Sequence, residues 1–174
     1  MSMELVQVEK LGDVFFKSGY FRDIKDQAQA IVKILYGSEL GFSPVVSLLG
    51  IHVIEGKPTL SSNLLGTLVK RSGRYDYRVK EATALVCTLE FFSVGKRERS
   101  LGLATFTIED AQRALLVKPG SGWAKYPKAM LFARALSAGV RLHCPDVSAC
   151  PLYVPEELGA TVDEEGAVTE LPKS

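Results

Sequence analysis

Cysteine is scarce in this chain: Cys87, Cys144 and Cys150 are the only three among 174 residues. An odd count without regular spacing excludes a disulfide framework. A structural zinc site needs closely paired ligands. His143, Cys144 and Cys150 form only a loose group beside Pro145 and Pro151, so buried thiols near a helix end are expected instead. Histidine is scarcer still, with two residues. His52 lies in an apolar stretch, where a core imidazole is a simpler reading than a catalytic base. No apolar run approaches the roughly 20 residues that a membrane helix needs, so no membrane partner is expected. The opening MSMELVQVEK carries Glu4 and Glu9 and lacks an apolar core followed by a cleavage site. A secretory signal is therefore not expected, and a cytoplasmic location is.

Catalytic signatures are missing as well. The chain has no G-x-x-x-x-G-K-[ST] loop, no G-x-G-x-x-G, no G-x-S-x-G and no H-E-x-x-H. Asp76, Glu81 and Glu90 are scattered and do not form the paired carboxylates of a metal nuclease. These absences argue against nucleotide hydrolysis and metal-dependent strand cutting. They leave open an enzyme whose site is assembled in space, and a passive DNA-binding or replication-accessory module.

What is present is ordinary in bulk and uneven in distribution. The chain is 47% hydrophobic and 24% charged, which suits a globular protein with a proper core. Its net charge of +1 hides a segregation. Residues 64–141 hold 14 basic and 6 acidic residues, a surplus of eight positive charges. Residues 142–174 hold 7 acids and 1 base, a surplus of six negative charges. A basic middle suggests a polyanion partner, against the plainer reading of a solvated surface with clustered charge.

The periodicities predict an α+β fold: a small antiparallel sheet with a basic hairpin, backed by helices. Helical spacing covers residues 4–17, then a second helix capped by Asp23 or Asp26 with Ala28, Ile31, Val32 and Leu35 as its apolar face. Gly41 and Pro44 end that helix. A short helical turn over 45–49, a strand at 51–54 and a turn at 55–58 follow. A helix capped by Ser61 or Ser62 then runs to Lys70-Arg71 and stops at Gly73. Strands are predicted from Tyr75 to Val79, Leu85 to Val94 and Leu101 to Phe106, the last two joined at a strongly basic tip. Thr107 caps a helix ending near Leu116. Trp123 opens a long helix to about His143, with Pro127 in its first turn or just before it. Pro155–Leu158 forms one turn. A single domain is expected over residues 1–159, with a helical arm over 1–22, followed by an acidic, disordered tail over 160–174.

The candidate binding residues are cationic and aromatic. Lys70, Arg71 and Arg74 lie at a helix end; Lys96, Arg97 and Arg99 lie at the hairpin tip; Lys118, Lys125 and Lys128 flank Trp123 and Tyr126. Arg134 and Arg141 are seven apart and share a helix face. Lys and Arg hold phosphates, and flat side chains can stack on unpaired bases. For Trp123 and Tyr126, packing in the core competes with that role.

The segments GSELGFSP, GIHVIEGKPTLSS and LVKRSG, then TFTIEDAQRA, GWAKYPKAMLFARALS, RLHCPD and LYVPEELG, resemble the RecT-type phage recombinases in the same order, over residues 37–159. That resemblance implies a single-strand DNA annealing protein that pairs complementary strands without ATP in phage-type recombination. It implies no catalytic residue and no cofactor, with a divalent cation neither required nor excluded. It further implies a homo-oligomer, ring or filament, acting on single-stranded DNA and annealed duplex beside a 5′–3′ exonuclease. DNA would lie in a basic groove between the hairpin and the helical core. By position, the acidic tail resembles the family's C-terminal region, which contacts partners such as a host single-strand-binding protein.

Overall fold

The computed structural model describes residues 4–21, 23–95, 98–148, 150, 152–163 and 168–172. It is α+β, with helices and small antiparallel sheets. The chain divides after Pro58 into two compact units, residues 1–58 and 59–174, where one domain over 1–159 is expected from sequence. No single helix among the described residues is long and apolar enough to cross a membrane.

The first unit is built from α1 (Leu5–Lys17), α2 (Gln27–Glu39), α3 (Pro44–Gly50) and the strand β1 (Ile51–Ile54). Asp26 caps α2 by accepting from the Gln29 amide at 2.8 Å. Val8, Phe21, Ile24, Ala30, Ile34 and Leu48 make the core, with Leu11 and Phe15 packed against it. The buried face of α2 is Ala30, Lys33, Ile34 and Gly37, not the predicted stripe: Ala28, Val32 and Leu35 are exposed.

Two contacts turn the helix this way. A Cβ at Gly37 would fall 1.9 Å from Ser47 Oγ, so only glycine lets α3 approach so closely. Lys33, 3% exposed, is drawn inward by Asp23 and by the Leu48 carbonyl. Asp23 Oδ2 also lies 2.9 Å from His52 Nδ1, which makes His52 the core imidazole expected. Burial works to raise the Asp23 carboxyl, but the bonds to His52 and Lys33 prevail and hold it down at about 2.

β1 pairs with β2 (Lys57–Leu60) around a tight turn in which Glu55 and Gly56 both take positive φ. Pro58, read from sequence as part of the turn, lies inside β2, and the unit boundary falls there. Ladders of so few strands tolerate proline because an edge N–H is dispensable.

The second unit centres on an antiparallel sheet in the order β3 (Tyr75–Ala82), β4 (Val86–Ser93), β5 (Arg99–Thr107). Cys87, Leu89 and Phe91 alternate inward from β4, as a half-buried strand requires. Helix α7 (Pro127–His143) packs on β4 and β5, and α4 (Ser62–Arg71) packs on α7 and β3. Gly139 makes the docking possible: a Cβ there would lie 2.0 Å from Phe91 Cε2. The opposite sheet face is polar. Thr88 and Thr105 hydroxyls sit 3.0 Å apart, Ser100 donates to Glu90, and Arg78 pairs with Glu98 while covering Phe92.

After β5, Thr107 and Asp110 form the capping box of α5 (Ile108–Arg113). The expected long helix from Trp123 is two helices, α6 (Gly122–Lys125) and α7, because Pro127 cannot donate within a continuous helix and starts a new one at its first turn. A 3₁₀ turn at Pro155–Leu158 ends at Gly159 in the left-handed region. Residues 160–174, expected as a disordered tail, contain the paired strands β6 (Thr161–Val162) and β7 (Val168–Glu170), and Val162 is buried.

Candidate nucleic-acid interface

The break between α6 and α7 shapes the main cavity of the second unit. Ser121 and Gly122 carbonyls accept from Lys125 and Tyr126 amides and close α6 after one turn. Pro127 then redirects the chain, so Lys125, Tyr126 and Lys128 turn toward one hollow. The first turn of α4, capped by Ser61 through the Leu64 amide, supplies Ser62 and Asn63 on another wall. β3 contributes Val79 and Ala82, and α7 contributes Phe132. The cavity is about 710 Å³. Its lining holds two lysines and no carboxylate. Among the described residues, neither lysine side chain makes an ion pair or hydrogen bond, and both are exposed. The hollow is thus a positively charged mouth over an apolar wall with one half-buried phenol ring.

The other predicted cations fare differently. Lys70 pairs with Asp76 and sits 4.9 Å from the centre of the Tyr77 ring. Arg74 pairs with the Asp146 carboxylate and donates to its carbonyl at 2.8 Å, while Tyr75 donates to the same carboxylate at 2.6 Å. The Tyr75 hydrogen bond, with Arg74 adding to it, holds Asp146 below its usual range. Arg71 is exposed at the end of α4, Arg99 at the start of β5, and Lys118 in the loop before α6. Lys96 and Arg97 lie outside the described residues.

Three of the predicted residues are engaged by packing within the protein. Trp123 is 4% exposed and stacks obliquely on Phe106 at 6.1 Å, so its ring is core and presents no face to a base. Arg134 and Arg141 do share a helix face, but that face meets the Pro155–Leu158 turn. Glu157 Oε2 lies 3.1 Å from Arg134, and Oε1 lies 2.9 Å from Arg141. Arg141 also donates to Ser137 Oγ and to the Leu152 carbonyl, and Ser137 donates to Glu157. Arg134 further lies 4.8 Å over the Phe106 ring. Both arginines are spent on holding the C-terminal turn against α7.

Sequence reasoning missed the walls. Ser62, Asn63, Val79, Ala82 and Phe132 carry no motif, and only the α4 cap hinted that amides would face outward there. It also missed Glu156, which is fully buried next to Glu157; its two oxygens have no hydrogen-bond partner among the described residues. Burial pushes that carboxyl up to about 7, with Glu157 adding to the rise and Arg134 opposing it. Cys87 and Cys144 are buried, and burial raises each thiol to about 11, which makes them inert. Among the described residues no group of three or more His, Cys, Asp or Glu side chains could hold a metal ion. No family model matches this chain, and no curated protein or solved structure matches it either.

Proposed function

We propose that this protein binds single-stranded DNA through its second unit and anneals complementary strands without ATP, as the resemblance to RecT-type recombinases implies. The observation that carries the reading is the cavity at the α6–α7 break, where Lys125 and Lys128 have no partner among the described residues and stand beside Tyr126 and an apolar wall. Lysines neutralise phosphate, and the aromatic and apolar surface accepts a base or sugar. Annealing needs no bond chemistry. It needs two repelling backbones to be screened while bases stay free to pair. The reading is supported coarsely by the α+β arrangement, in which the β4–β5 pair is backed by α7. Self-association belongs to the same reading and is supported by exposed apolar side chains on the first unit, including Val32, Val45 and Leu49.

A second reading, passive binding without annealing, is favoured by one observation: Lys70, Arg74, Arg134 and Arg141 are all engaged by carboxylates, which leaves a short cationic site. One experiment separates them. Two complementary oligonucleotides are mixed at low salt without ATP, with wild type or the Lys125→Glu/Lys128→Glu variant, and pairing and binding are both followed. Wild type should speed pairing, and the variant should lose at least about tenfold in binding, as loss of two phosphate contacts predicts. Binding without faster pairing selects the passive module. No binding at all removes the DNA reading.

A further inference from the structure

We propose that the cavity at the α6–α7 break is a strand-end pocket, which takes a terminal nucleotide carrying a phosphomonoester in preference to an internal stretch of strand. This rests on the single-strand DNA reading but goes beyond it, because a site along a strand and a site for its end need different shapes and charges.

Volume is the first argument. At about 710 Å³ the hollow is of the size that holds one small ligand, within the roughly 300–1,000 Å³ of ordinary ligand pockets. It is bounded by α4, β3 and α7, with Phe132 and Val79 on its walls. A passing strand needs an open channel that tracks several phosphates. A single nucleotide fits a hollow of this volume.

Charge is the second argument. Lys125 and Lys128 place two ammonium groups on one hollow whose lining holds no carboxylate among the described residues. An internal phosphodiester brings one negative charge, whereas a terminal phosphate brings about −1.5 to −2 at neutral pH, with a second pKa near 6. The monoester is the better match. Ser62 and Asn63 of the first α4 turn line the same hollow and carry no charge of their own to oppose the lysines. Tyr126 and Phe132 then offer flat apolar surface to the attached sugar and base.

The end of a strand and a free nucleoside monophosphate present the same chemistry, so the test carries both. Fluorescence anisotropy would compare one labelled oligonucleotide with a 5′-phosphate, with a 3′-phosphate, and with two hydroxyl ends, and calorimetry would titrate adenosine monophosphate directly into the protein. One phosphorylated form should bind about tenfold tighter than the hydroxyl form, the scale of an added charge-assisted contact. That advantage should shrink as pH falls below about 6, where the monoester loses its second charge. It should vanish in Lys125→Gln/Lys128→Gln, while binding of all three oligonucleotides converges. Equal binding of the three by wild type overturns the strand-end pocket and leaves the DNA reading standing. Binding of adenosine monophosphate alone, with no oligonucleotide bound, sustains a nucleotide pocket and sinks the strand reading. Oligonucleotide affinity that ignores both end chemistry and the lysine substitutions overturns the assignment of this cavity.

Discussion

The two ends of α7 handle positive charge in opposite ways. Around its start, Lys125 at the end of α6 and Lys128 in the first turn of α7 stand over a cavity with no anion among the described residues to answer them. Further along, Arg134 and Arg141 close on Glu157, whose side chain is 10% exposed. Both pairs are neighbours in sequence terms and belong to the same basic stretch. What separates them is an acid that arrives from 16 to 23 residues downstream, on a turn shaped by Pro155 and Gly159. Cations near a helix are therefore not equivalent: those answered by a largely covered carboxylate hold the fold, and those left unanswered are available to a ligand.

Breaking the buried side of this contrast should give the largest effect. Glu157→Ala leaves two guanidinium groups facing a hydrophobic turn and frees Ser137 and the Val154 amide as well. Glu157 is largely covered and Arg134 is 20% exposed, whereas Arg141 is 42% exposed. The loss should therefore exceed the ~0–1 kcal/mol of a surface pair and stay below the ~3–5 kcal/mol of a fully buried one, and the urea midpoint of unfolding should fall. The Lys125→Glu/Lys128→Glu variant should do the reverse, losing DNA binding while stability stays within about 0.5 kcal/mol, as exposed substitutions do. A Glu157→Ala midpoint equal to that of wild type would mean that the arginines are loosely held, and the two ends of α7 would no longer differ in kind.

Much of the scaffold was legible in the sequence because it depends on local chemistry. Asp26, Ser61 and Thr107 act as caps, Cys87, Leu89 and Phe91 alternate inward, and Gly41 and Gly73 take the left-handed conformation at helix ends. The errors came from partners distant in sequence. The face of α2 was misread because Asp23 and Ser47 pull Lys33 and Gly37 inward, which no periodicity reveals. β2 was missed because Pro58 looks like a turn residue until it is placed on an edge. At the site, Lys125, Tyr126 and Lys128 were visible as a cluster, but their walls from α4 and β3 were not, since Asn63 and Val79 meet them only in space.

A smaller effect is expected next to the hub. Glu156 is a buried acid raised from its ordinary 4.5 to about 7. Between those values the unfolded chain releases this proton and the folded chain keeps it, so the folded state binds more protons and stability falls as pH rises from about 4.5 to 7. Above that window the loss is complete and constant. Glu156→Gln removes the titration, so its urea midpoint should decline less than that of wild type across the interval. Asp23, Asp76, Asp110 and Asp146 are all shifted downward, so their contributions change at lower pH and do not overlap this window. Parallel declines in wild type and variant would mean that Glu156 ionises in the fold as it does in water.

The smallest effect tests the middle ground between the two ends of α7. Arg74 is paired with Asp146, yet both side chains are about half exposed, at 53% and 52%. A pair this exposed is screened by water and contributes little, so Arg74→Gln should shift the unfolding midpoint little. Its effect on DNA binding decides what an exposed pair is worth. Asp146 takes bonds from Arg74 and Tyr75 together, and that shared arrangement should keep the guanidinium from a phosphate. Binding should then fall less than about twofold, and the slope of affinity against salt should hold, whereas each lost phosphate contact to a single strand lowers that slope by about 0.7. A slope reduced by that amount would show that DNA displaces Asp146. Arg74 would then join Lys125 and Lys128, and exposure rather than pairing would decide which cations serve the ligand.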